Sequence, residues 1–130
     1  MTIARSAGVF LGTDETTLLS VAAGVTTVGA EVDVLASDAA AGEIELFAVV
    51  TFGAVAGVAG VNLKVNKRRV TGQVYTLQNF VQSIAAVAST PVKVPLGRMS
   101  ASRYMNVVVQ NTDATNAVSV TVGYELTKFT

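Results

Sequence analysis

The stretch Arg103-Tyr-Met-Asn-Val-Val-Val-Gln-Asn-Thr-Asp-Ala-Thr-Asn-Ala-Val-Ser-Val-Thr-Val-Gly-Tyr-Glu-Leu126 carries the plainest structural signal in the chain. In its second half Val118, Val120, Val122, Tyr124 and Leu126 alternate with Ser119, Thr121, Gly123 and Glu125. Apolar residues at period two are what a strand with one buried face requires. In its first half Met105, Val107 and Val109 share a face in the same way. The Asn111–Asn116 segment between them holds Asn and Asp, whose side chains bond back to the backbone and favour tight turns. The spacing predicts an antiparallel hairpin.

The same grammar extends upstream. Glu31-Val-Asp-Val34 and Glu43-Ile-Glu-Leu46 each alternate acid with aliphatic residue, and residues 36–42 read as a loop between them. Val61, Leu63 and Val65 alternate with Asn62, Lys64 and Asn66. Val70 to Leu77 gives a further strand around Gly72, Leu18 to Val21 a short one, and Val92 to Leu96 another. Pro91 and Pro95 bracket the last of these and mark it as an edge strand, because proline cannot donate to a ladder. Only Thr76 to Ala88 has helical spacing, with Leu77, Phe80, Val81, Ile84 and Val87 on one stripe. Val and Thr dominate throughout, and β-branching suits a pleated surface. Eight or nine strands with at most one short helix predict an all-β, two-sheet antiparallel sandwich of jelly-roll or related Greek-key kind. The sandwich is expected over residues 17–130, behind an N-terminal arm of residues 1–16.

A chain of 130 residues makes one domain. Only 14% of it is charged, its nine basic and nine acidic residues cancel, and 51% is apolar. Such a surface resists self-association poorly, so a homo-oligomer is expected, with a trimer favoured. There is no Cys and no His. Disulfides, thiol nucleophiles, Cys/His zinc sites and imidazole bases are thereby excluded. The expectation is a protein that is not an enzyme and takes no cofactor. The first residues, with one positive charge and a short Val9-Phe10-Leu11 patch, do not read as a signal peptide.

Leu46 to Leu63 (LFAVVTFGAVAGVAGVNL) is uncharged for eighteen residues, holds Gly53 and Gly57 at GxxxG spacing and precedes Lys64, Lys67, Arg68 and Arg69. A single membrane-spanning helix over residues 46–63 would show these features. Against it, the run is mostly Val, Ala and Gly, and its first half continues the alternation begun at Glu43. Strand, glycine-rich loop and strand account for it more economically, so no membrane partner is expected.

Carboxylate pairs are the remaining catalytic candidates, since Glu31/Asp33 and Glu43/Glu45 each place two acids on one strand face. The opposite faces are aliphatic, so the acids read first as the solvent face of each strand. Lys67-Arg68-Arg69 is a single short basic run without interleaved aromatics, and no phosphate-binding glycine motif is present. Nucleic acid is therefore not an expected partner. The cluster reads as a solvated turn or as the counterpart of acidic strands on a neighbouring copy. Val9, Phe10 and Leu11 in the arm would contribute roughly 5 kcal/mol if buried against a neighbour, before ordering costs. Val9, Phe10, Leu11, Lys67, Arg68 and Arg69 are thus the candidate contact residues for self-association or for a capsid.

The composition, rich in Val, Thr, Ala and Gly and lacking Cys, His and Trp, together with the closing Arg103–Tyr124 pattern, resembles the small β-sandwich structural proteins of tailed bacteriophage virions, such as capsid cement or decoration proteins. The resemblance covers the last thirty residues well and the rest loosely. It implies a jelly-roll-like subunit, often trimeric, that sits in the virion and stabilises the shell by contacts with the major capsid protein or other virion proteins. A carbohydrate- or receptor-binding sandwich module of a fibre or adhesin is the alternative. The lack of Trp and the presence of only three Tyr weigh against sugar stacking.

Overall fold

The computed structural model describes residues 2–14, 16–52, 60–72, 77–84 and 91–130, with residues 52 and 77–84 described by their backbone alone. Among these the chain forms strands β1 (Ile3–Leu11), β2 (Leu19–Val21), β3 (Thr26–Val28), β4 (Val32–Asp33), β5 (Ala41–Phe52), β6 (Val61–Arg68), β7 (Leu77–Ile84), β8 (Val92–Ser100), β9 (Tyr104–Asn111) and β10 (Val118–Phe129), and no helix. One sheet has the order β1-β10-β5-β8, with β2 also on β10. The other has the order β3-β9-β6-β7, with β4 also on β9. All ladders are antiparallel.

The order becomes simple when β1 with β2, and β3 with β4, are each read as one interrupted strand. β1 and β2 lie successively along β10, and β3 and β4 along β9. The pairs then run first with last (β1/β2 with β10), second with seventh (β3/β4 with β9), third with sixth (β5 with β8) and fourth with fifth (β6 with β7). This is one long hairpin rolled into a barrel-like wrap and sealed by the β10–β5 and β9–β6 ladders. That topology is a jelly roll, an all-β, two-sheet antiparallel sandwich.

Period-two alternation gives each sheet its inner face. Ile44, Leu46, Ala48 and Val50 of β5 and Val118, Val120, Val122 and Leu126 of β10 meet Val61, Leu63 and Val65 of β6 and Met105, Val107 and Val109 of β9 in a single core. Most of these side chains are wholly excluded from water.

Four expectations are corrected, and the membrane-span alternative falls with them. The Arg103–Leu126 stretch does not fold as a hairpin, because β9 and β10 belong to different sheets. Each carries a fully apolar face, and each is already flanked on both sides. Placing them in opposed sheets lets the two apolar faces bury one another. Within the helical stripe at 76–88, residues 77–84 form strand β7, whose backbone pairs with β6 from Val61↔Ile84 to Lys67↔Leu77, and residues 76 and 85–88 fall outside the described ones. Ladder hydrogen bonds there override a spacing that a short segment can satisfy by chance. Val70 to Gly72, expected to begin a strand, lie in a bend and turn, with Gly72 at φ 85, and residues 73–76 of that expected strand fall outside the described ones. The run 46–63 is not a spanning helix, since its first part is the end of β5 and its last part the start of β6, while residues 53–59 fall outside the described ones. Residues 3–11, read as arm, form β1 and pair along most of β10.

The 111–117 connection crosses from one sheet to the other and is held by side chains. Asn111, fully buried, donates through Nδ2 to the carbonyls of Val21, Ala22 and Asn116 and accepts from the Asp113 amide. Asp113 Oδ1 accepts from the amides of Thr115 and Asn116 and from their side chains. Those donors, backbone first, hold the Asp113 carboxyl down to about 2. A carboxyl lowered on folding stabilises the fold above its unfolded value near 3.8 and loses that contribution as pH falls through about 2. Urea midpoints should therefore fall between about pH 4 and pH 2, and Asp113→Asn, which keeps one acceptor, should flatten that fall. Equal pH dependence in the two proteins would remove Asp113 from the account.

Candidate functional site

The outer face of the β1-β10-β5-β8 sheet carries a concave surface formed by described residues. It is a shallow depression of about 700 Å³ lined by Arg5, Ser6, Ala7, Glu43, Ile44, Glu45, Arg98, Glu125, Leu126 and Thr127. Register sets its pattern. Ala7, Glu125, Glu45 and Arg98 form one row across the four strands, and Arg5, Thr127, Glu43 and Ser100 form the next. Glu45 pairs with Arg98 at 3.3 Å. Arg5 and Glu125 have no ion-pair partner among the described residues.

Two glycines shape the sheet. Gly123 lies opposite Phe47 on the outer face, with the phenyl ring where a Cβ would stand. Gly8 lies opposite Tyr124 on the inner face in the same manner, and Tyr124 also packs on Phe10 at 4.6 Å between ring centres. Burial pushes the Tyr124 hydroxyl pKa up. In both pairs a cross-strand aromatic covers the gap left by a missing side chain. Lys93 sits over the other side of Phe47, 4.3 Å from the ring centre. At one end the face is closed by the loop after β1. Gly12, at φ 82, lets that loop pass over Thr121, whose hydroxyl donates to the carbonyls of Asp14 and Thr17.

The candidate contact residues separate in space. Phe10 and Leu11 lie in the chain's own core, so Val9 alone of that trio stands on the surface. The basic run divides three ways. Lys67 donates to the Ser100 carbonyl at 2.9 Å, tying β6 to β8, and burial lowers its pKa. Arg68 makes a bidentate pair with Glu31, at 2.6 and 2.7 Å. Arg69 is exposed beside a smaller hollow that includes Asp38 and Arg103.

Three of the four acids are likewise met within the chain. Arg103 binds both Asp33 and Asp38, its hydrogen bond holding the Asp33 carboxyl below the usual carboxylate range. Glu31, Asp33 and Glu45 thus act as outward-facing ion-pair partners, while Glu43 has no ion pair among the described residues. Among the described residues no group of three acids is placed to hold a metal ion. Arg5 and Glu125 were not singled out by sequence. Alternation alone places Glu125 outward, but its position beside Ala7 and Glu45 depends on strands more than seventy residues apart in sequence.

No protein-family model matches the chain, and no curated protein matches it. Among solved structures it is similar to a chain in the structure of infectious bursal disease virus, Gx strain, with a TM-score of 0.61 and 9% identity. That match covers 96% of this chain and 32% of the viral one, so this chain spans about a third of the other's length. At this identity the likeness is one of fold. A chain of the Bacillus endospore appendages, described as disulfide-linked pili, matches at 12% identity over 99% of this chain and 88% of its own, with a TM-score of 0.45, too low for a shared fold to be argued.

Proposed function

We propose that this protein is a structural subunit of a virus particle, a homo-oligomeric cement or decoration subunit of a bacteriophage capsid. Its work is to hold neighbouring shell subunits together by burying surface against them. The observation that carries this reading is the jelly-roll wrap, aligned over nearly the whole chain with a chain from a virus structure. Jelly rolls serve viral capsids and lectins alike. The choice between these rests on the surface. Of the two phenylalanines on the open sheet face, Phe47 packs on Gly123 with Lys93 over its ring, and Phe129 is half-buried in the row of Ile3 and Ala41, so neither presents a fully exposed ring to a sugar. Low, balanced charge also suits a subunit whose surface is to be covered by others.

An antibody raised against the chain should decorate the shells of particles purified from cells that carry its gene, as seen by immuno-electron microscopy. Label confined to tails would refute a cement role. Unlabelled particles, from lysates in which the same serum detects the protein, would refute a virion role.

A further inference from the structure

Strand β1 is a long and lightly guarded edge. Among the described residues it pairs only with β10, and it runs for nine residues, Ile3–Leu11, with Arg5 as its single charge, no proline, and a register shift only at its far end, between Val9 and Leu11. Edge strands of soluble proteins are ordinarily blunted by shortness, proline, lysine or bulges, because a free ladder recruits another strand. The β8 and β3/β4 edges show those devices more fully, and β7, at the other end of the second sheet, has a register shift against β6 within the ladder. β8 carries Lys93, Pro95, Arg98 and a register shift against β5, and β3 and β4 have three and two residues.

The orientation of the free groups follows from the ladder. Thr2 and Thr130 exchange both backbone hydrogen bonds, so Thr2 and, at period two, Ala4, Ser6 and Gly8 turn their N–H and C=O towards β10. Ile3, Arg5, Ala7 and Val9 turn theirs outward, and their side chains share the outer face of the sheet.

From this geometry we infer that two copies of the chain join through β1, antiparallel about a two-fold axis at Ser6, to make one sheet continuous across both. The register is chosen by the side chains. With Ser6 opposite Ser6 of the second copy, Ile3 meets Val9 and Arg5 meets Ala7, each pair occurring twice. Ile3 and Val9, 57% and 36% exposed, cover one another. The alternative centred on Arg5 would set two guanidinium groups directly opposite, which destabilises a pair. Beyond Ala7 in the same row lies Glu125, so the incoming Arg5 extends over the small methyl towards a carboxylate that has no ion-pair partner among the described residues. The second copy supplies an aliphatic partner, a counter-charge and a complete ladder of about eight hydrogen bonds. This contact is isologous and self-limiting. It stands independently of the virion reading.

The chain has no cysteine, which makes the register directly testable. Facing residues of a pair that is not hydrogen-bonded stand close enough for a disulfide. Ser6→Cys should form an interchain disulfide on mild oxidation of the folded protein, whereas Ala4→Cys, which faces Gly8 of the second copy, should not. Ala7→Pro, which removes an outward N–H and leaves the β10 ladder intact, should abolish that crosslink with an unchanged far-ultraviolet circular dichroism spectrum. Arg5→Glu should weaken self-association by roughly ten-fold in sedimentation equilibrium, and Arg5→Glu with Glu125→Arg should restore it. Equal crosslinking of Ser6→Cys and Ala4→Cys, no crosslinking of either, or association indifferent to Arg5→Glu would each overturn the inference.

Discussion

Replacing Leu63 by alanine is expected to cost about 3 kcal/mol and to lower the thermal midpoint by about 10 °C. Leu63 is wholly buried at the centre of β6, between Val61 and Val65 and within the core shared with Ile44 and Leu46 of the opposite sheet. Truncation loses the transfer free energy of three carbons and leaves a cavity. Both neighbouring strands are held by continuous ladders, β9 on one side and β7 on the other, so the backbone cannot collapse into it. Lys64→Ala, one residue along and on the opposite face, should change stability by about 0.5 kcal/mol or less. Denaturant unfolding of the two variants checks the assignment of faces on β6. Similar losses in both would mean that β6 is not divided into a core face and an outer face.

Replacing Asn111 should be comparably severe, at about 3 kcal/mol, although it removes a polar side chain from a loop boundary. One amide group satisfies three carbonyls, those of Val21, Ala22 and Asn116, and receives the Asp113 amide. Those groups come from the end of β2, the residue after it and the β9–β10 connection, so Asn111 binds the two sheets at the place where the chain passes between them. Alanine would leave the buried Val21 carbonyl and the part-buried Ala22 and Asn116 carbonyls without this donor. Aspartate keeps the shape but faces the same carbonyls with oxygen, and at neutral pH should be at least as damaging as alanine. Gln110→Ala, exposed and adjacent, should be nearly neutral. Urea unfolding of the three variants decides it, and a mild Asn111→Asp would mean that the amide donor is not what holds the crossing.

Asn111 also marks the limit of what local reading provides. Its type and neighbours, Asn-Thr-Asp-Ala-Thr-Asn, signal side-chain bonds to backbone, and those bonds are present. The same signal serves a tight hairpin and a crossing between sheets. What separates the two is whether β9 and β10 find each other or find β6 and β5, a choice made by strands forty to eighty residues away. The helical stripe at 76–88 fails for the same reason. Its residues are compatible with either period, and the partner strand β6 settles it.

The surface divides along the same line. Glu31, Asp33 and Glu45 could be placed on outer faces by alternation alone, and Phe10 and Leu11 could be marked as residues that seek burial. Their partners could not be foreseen. Arg68 meets Glu31 across 37 positions and Arg103 meets Asp33 across 70, so cations and acids that look available to a neighbouring copy are largely taken within the chain. That Arg5 and Glu125, neither ion-paired among the described residues, share one sheet face emerges only once the sheet order is known.

Local and periodic features follow from the amino-acid order alone. Alternating aliphatics, β-branched residues and two prolines at β8 dictate strands, their inner faces and an aliphatic core, because a pleated backbone turns successive side chains to opposite sides whatever lies next to it. The missing His and Cys remove the chemistry that those residues carry. Tertiary structure alone decided which strands are neighbours, that β1 completes the first sheet and leaves its own outer edge open, and which charges remain unmet. Backbone hydrogen bonds in a sheet are the same for every residue type, so pairing is chosen by the burial of whole faces at once and is written in no single segment.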